Sequence, residues 1–142
     1  MAPQQSSVSP LNNYKDLAFN LMRGKNFAFL STINPDGTPQ VTPTWVDTDG
    51  EYVLINTKIG TVKYKNIKRN PNVALAIAEQ SDPYNMVTIK GKVIEVVTGP
   101  VPERHIHQLA YKYLGLEKNP WSKPGERRVI LKIKPHRISS MQ

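Results

Sequence analysis

Apolar side chains change their spacing several times along this chain, and each change marks an element. Tyr14, Leu17, Ala18, Leu21 and Met22 recur at three- and four-residue intervals with Gly24 as a stop, which predicts a helix over 11–23. Residues 27–33 are apolar and β-prone, and Asn34-Pro35-Asp36-Gly37 reads as a turn. The Thr- and Val-rich run 39–47 ends at Asp47-Thr48-Asp49-Gly50, and 51–56 makes a third strand. Three strands joined by tight turns form an antiparallel meander, the natural start of a small barrel.

Gly60-Thr61 opens the stretch 61–69, free of glycine and proline until Asn70-Pro71, which predicts a short helix. A near-continuous apolar strand follows over 73–78, then a polar loop over 80–85, then a long strand over 86–97 with Gly91 as a bulge. Pro100 and Pro102 punctuate a second longer helix reaching residue 114, with Ile106, Leu109, Ala110 and Tyr113 on one face. A Gly- and Pro-rich loop leads to the last strand, 127–133. The expected class is therefore β-dominated, six strands with peripheral helices.

With 142 residues the chain is the size of one domain, read as a disordered lead over 1–10 and a folded unit over 11–142. It has no cysteine, which removes disulfide frameworks and thiolate chemistry and suits a reducing, cytoplasmic setting. The polar opening lacks the apolar core of a signal peptide, and no apolar run approaches the roughly 20 residues of a membrane helix. The formal charge of +8 favours anionic partners without choosing among them. Hydrophobic residues make up only 39%, so a core this small would gain from burying a face against a second copy.

A self-sufficient active site is not visible. There is no HExxH, no GxSxG elbow and no GxxxxGK[ST] loop, and no metal site is expected. His105 and His107, two apart on a helix, point to different faces and read as structural or solvent-facing. Asp36, Asp47, Asp49 and Asp82 fall at turn signals, where acids serve the backbone. Any redox chemistry must come from a cofactor. One local feature is odd: the helix beginning at Thr61 carries Lys63 and Lys65 in its first turn and no acid, against the helix dipole. The amides of Gly60, Thr61 and Val62, the Thr61 hydroxyl and the Lys63 ammonium would together cradle a phosphate. Equally, both lysines could extend into water.

The stretch 54–71, LINTKIGTVKYKNIKRNP, resembles the cofactor-binding segment of the pyridoxamine-phosphate-oxidase-like split-barrel flavoproteins. FAFLSTINPDGTPQVTPTWVD, AIAEQSDPYNMVTIKGKVIEV, HIHQLAYKYLG and NPWSKPGERRVILKIKP resemble the first hairpin, later strands, second helix and closing strand of that family, in order, over about residues 14–138. The resemblance implies a six-stranded antiparallel split barrel of the FMN-binding type, a homodimer with two cofactor sites between subunits. It puts Lys63 on the cofactor phosphate with the Thr61 hydroxyl assisting. Thr42, Pro43 and Thr44 would line the flavin or deazaflavin ring, and Asn56, Thr57 and Lys58 would complete the wall. Tyr84 and Met86 correspond to the partner-contributed region, and Trp121 to a loop on the substrate side. No catalytic side chain is assigned.

Val62 stands where the vitamin B6 oxidase has arginine, and the Trp and Arg substrate segment at that enzyme's C-terminus has no counterpart here. The chain looks more like short, basic members that use coenzyme F420, whose acidic tail suits Lys58, Lys65, Lys68 and Arg69, although a charge run of this kind also reads as a solvated face. The leading expectation is an F420-dependent oxidoreductase moving a hydride between a deazaflavin and a small conjugated acceptor. One alternative is an FMN-binding flavin reductase or pyridoxamine-phosphate-oxidase-like flavoprotein. Another is a single-stranded nucleic-acid-binding barrel, disfavoured because Phe27, Phe29, Trp45 and Tyr52 read as core.

Overall fold

The computed structural model describes residues 10–140. The expected disordered lead lies outside the described residues up to residue 9, and Pro10 opens the first helix. Helix α1 (Pro10–Arg23) precedes strands β1 (Ala28–Ile33), β2 (Pro39–Thr44), β3 (Asp47–Thr48) and β4 (Val53–Lys58). Then come α2 (Val62–Arg69), β5 (Asn72–Glu79), β6 (Asp82–Val97), α3 (Pro100–Leu114) and β7 (Arg128–Ser140). All strand pairs are antiparallel, in one curled seven-stranded sheet of order β2-β1-β5-β6-β7-β4-β3.

The expected count was six, and the extra strand comes from the run 39–47, which is one strand in sequence and two in space. Its first half pairs with β1 at one end of the sheet and its continuation pairs with β4 at the other. The ladder breaks at Trp45-Val46 because side chains take the Val46 backbone. The Val46 amide donates to the Tyr113 hydroxyl (3.0 Å), and the Lys112 ammonium donates to the Val46 carbonyl (2.8 Å). A single covalent segment therefore joins the two edge strands of the curled sheet.

Two other expectations change. Residues 80–85 are not a loop: β5 turns into β6 through 80–81, and Asn85 donates across the hairpin to Glu79 Oε1 (3.1 Å), polar pairing that hides the strand from a hydrophobicity pattern. The last strand does not stop at 133 but runs to Ser140. Pro135, which has no N–H to give, sits opposite Gly91 where the register shifts, so the proline is absorbed by the bulge. The bulge expected at Gly91 is present, and a Cβ there would lie 2.7 Å from the Lys134 carbonyl oxygen.

Strand alternation sends Ala28, Leu30, Ile55, Leu75, Ile77, Val87, Ile89, Leu131 and Ile133 inward. Helix α1 adds Ala18, Leu21 and Met22 to the same core, each large side chain worth about 1.5–3 kcal/mol of burial. The aromatic residues expected in the core are not in it. Phe27 and Phe29 are exposed because they occupy the outward positions flanking buried Ala28, while Trp45 and Tyr52 are half-buried. Among the described residues no helix is long and apolar enough to cross a membrane.

Candidate functional site

A cavity of about 260 Å³ opens where the end of β4, the start of α2, helix α3 and the loop 115–127 meet. Thr44 and Trp45 close one side. Asn56, Thr57, Lys58, Thr61 and Lys63 form the floor, and Asn119, Trp121 and Arg128 come from the loop and from β7.

The floor follows from the strand-to-helix turn. Gly60 has φ of +99°, a conformation that side-chain-bearing residues avoid. Thr61 caps α2 by accepting from the Tyr64 amide (3.3 Å). Its hydroxyl also lies 3.0 Å from the Lys58 carbonyl and 3.1 Å from Thr57 Oγ1, so its proton already has protein acceptors in reach. Buried Asn66 ties the helix back to β1 through Thr32 Oγ1 (3.0 Å) and Asn34 Oδ1 (3.0 Å). Lys63 is thereby held at the cavity.

Two cations share this space. Burial, and secondarily the Arg128 guanidinium, push the Lys63 pKa below its ordinary 10.5. Burial likewise lowers that of Arg128, opposed by Glu126 and Glu103. Lys63 has no salt bridge among the described residues, and Arg128 Nε is buried without a hydrogen-bond partner. Glu126 lies 3.7 Å from Lys58 and 3.6 Å from Arg128. Two half-buried like charges with a spare N–H are the kind of donor set that an anion such as a phosphoryl group would satisfy.

Further back, buried His105 bridges Asp47 (2.9 Å) and Asn56 (3.1 Å), and His107 accepts from the Asn119 amide (2.9 Å), so both histidines have structural partners. Asp47 is held below the ordinary 3.8 although burial acts to raise it, because His105 and the Thr48 amide stabilise the carboxylate. Trp45 stacks on Tyr113 with centroids 5.2 Å apart and meets Trp121, 63% exposed, at 6.3 Å.

Of the residues singled out in the sequence, Thr44, Asn56, Thr57, Lys58, Thr61, Lys63 and Trp121 come together around the cavity. Thr42 faces the same side of β2 as Thr44, with a buried hydroxyl that has no partner, and Pro43 faces out. Gly60 shapes the turn without lining the cavity, and Lys65, Lys68 and Arg69 lie outside it. Lys68 stands over the Tyr64 ring and Arg69 donates to Asn66 Oδ1. Tyr84, 77% exposed, and Met86 stand on β6, away from the lining of their own chain's cavity. Arg128, Trp45 and Asn119 were missed. Only the Arg127-Arg128 pair after a Gly- and Pro-rich loop could have pointed to Arg128.

A profile of the pyridoxamine 5'-phosphate oxidase family matches residues 15–142. No curated protein matches the sequence. Among solved structures, a protein named F420 reductase is 30% identical with a TM-score of 0.74, over 86% of this chain and 95% of its own. A conserved hypothetical protein from Mycobacterium tuberculosis is 21% identical with a TM-score of 0.62, over 96% and 88%. A candidate pyridoxamine 5'-phosphate oxidase from Lactobacillus delbrueckii is 24% identical with a TM-score of 0.56, over 86% and 89%. The last two resemblances speak to the fold alone.

Proposed function

The chain belongs to the pyridoxamine 5'-phosphate oxidase family, and from that premise we propose that it is an oxidoreductase using coenzyme F420, transferring a hydride to or from a small conjugated acceptor. The observation that carries this reading is the pairing of Lys63 with Arg128, two half-buried cations of which one keeps an orphaned N–H. Lys63, Arg128 and Lys58 would hold the cofactor's phosphoryl group. Thr44, Asn56 and Thr57 would line its neighbouring portion, with Thr42 offering its unpartnered hydroxyl. The bound deazaflavin supplies the hydride chemistry. The chain's own residues bind, orient and exclude water: Trp45 and Trp121 present apolar faces on the open side, and Ile106 and Leu109 seal the back. The 30% identity to a protein named F420 reductase favours the deazaflavin over FMN, whose phosphate would use the same cations.

The site is completed by a second copy of the chain. The outer sheet face carries an apolar hollow of about 350 Å³ lined by Phe29, Val41, Ala74 and Ala76, with Phe29 49% and Val41 61% exposed. Burying that face in a twofold contact would let Tyr84 and Met86 of the partner subunit reach the cavity. Titrating F420 and FMN separately into cofactor-free protein, followed by visible absorbance and tryptophan fluorescence, ranks the two. Failure of both to bind at micromolar concentration sinks the reading. A monomer by light scattering removes the shared site.

A further inference from the structure

The Asn56 amide cannot turn over. Its Nδ2 lies 2.9 Å from the Pro102 carbonyl oxygen, which only accepts, so this end is the NH2 group. The same nitrogen lies 3.1 Å from His105 Nδ1, which must therefore accept its second proton. The imidazole proton then sits on Nε2 and donates to Asp47 Oδ2 at 2.9 Å. Both side chains are buried, His105 at 6% exposure and Asn56 at 6%. One carbonyl thus fixes every proton in the row.

Asn56 lines the cavity. The one partner of its Oδ1 among the described residues is Arg128 Nη1 at 3.5 Å, a contact at the limit of a hydrogen bond, so the oxygen keeps capacity for another donor. One end of the amide is filled twice, and the other holds a single weak contact from a residue that lines the same cavity.

Resting on the phosphate reading of the cavity, we infer that Asp47 and His105 are positioning residues that lock Asn56 as an acceptor, so that the site selects a ligand carrying a hydroxyl next to its phosphoryl group. A sulfate dianion, which has only acceptors, satisfies Lys63 and Arg128 but gains nothing from Asn56. A polyol phosphate chain satisfies all three. The selectivity lies in the ratio of the two affinities.

The test measures binding of FMN and of inorganic sulfate, an acceptor-only stand-in for the phosphoryl group, to the full chain, with F420 replacing FMN if the wild type takes only the deazaflavin. His105→Leu removes both ring contacts and should weaken the polyol ligand about tenfold, the scale of one hydrogen bond, while sulfate changes less than about twofold. His105→Gln, which can accept from Asn56 and donate to Asp47, should recover most of that loss. Should the leucine variant not fold, Asn56→Ala reads the same ratio directly. Equal losses for both ligands, no loss for either, or no recovery with glutamine would each overturn the positioning role. A wild type that binds sulfate but neither cofactor refutes the cofactor reading instead, and this inference with it.

Discussion

Replacing Lys63 with methionine should move stability and ligand affinity in opposite directions. In the folded protein burial disfavours the ammonium and Arg128 adds repulsion, so the folded pKa lies below the ordinary 10.5. A lysine shifted this way costs stability at every pH below its folded value, and the cost fades as pH rises through the unfolded value. Methionine keeps a similar stem and removes the charge. The cofactor-free variant should therefore melt at a higher temperature than wild type at neutral pH, with the gap narrowing in strong alkali. Affinity for F420 or FMN should fall, because a hydrogen bond to a charged group contributes about 1.5–3 kcal/mol, or roughly 10- to 150-fold in dissociation constant. Thermal unfolding of the cofactor-free protein and a cofactor titration read the two effects separately. A variant that melts lower and binds the cofactor unchanged would show that Lys63 is a packing residue, and the anion would have to be sought elsewhere.

Glu126 competes with any incoming anion for Lys58 and Arg128, so Glu126→Gln should tighten inorganic phosphate binding by up to about fivefold, the range of a partly exposed ion pair; weaker binding would mean that Glu126 orients Arg128. The depressed Asp47 pKa contributes stability that is present above 3.8 and lost as pH falls through the lower folded value. Asp47→Asn should accordingly flatten the acid limb of stability measured by urea unfolding, and an unchanged limb would refute the coupling to His105. Gly91→Ala would press a methyl group to 2.7 Å from the Lys134 carbonyl and 2.9 Å from Ile133 Cγ2, costing about 1–3 kcal/mol of unfolding free energy; a urea midpoint unmoved by the change would show that the bulge yields freely.

Local signals were legible in the sequence. The 3.6-residue periodicity of α1, the turn at Asn34-Pro35-Asp36-Gly37 and the acid-free start of α2 depend on neighbours in the chain, and so does the gathering of Thr57, Thr61 and Lys63. What was not legible depends on distant partners. The strand break at Val46 is made by Lys112 and Tyr113. Arg128 reaches the site because β7 pairs it with Lys58 on β4, a register that no local pattern announces. Pro135 reads as a terminator until Gly91 is known to face it. Phe29 is apolar by type yet outward by alternation, which leaves composition and position in conflict until a second surface covers it.

The place of β7 in the sheet carries a consequence for how the molecule is made. The first hairpins form between sequence neighbours, but β6 and β4 have no contact in the ladder except through this element, which follows both of them in the chain. Until residues 128–140 have left the ribosome, the nascent polypeptide can pair these strands only as two separate patches of sheet. Insertion of β7 then joins the patches and brings Arg128 beside Lys58 in the same pairing, so the candidate binding site and the sheet are assembled together.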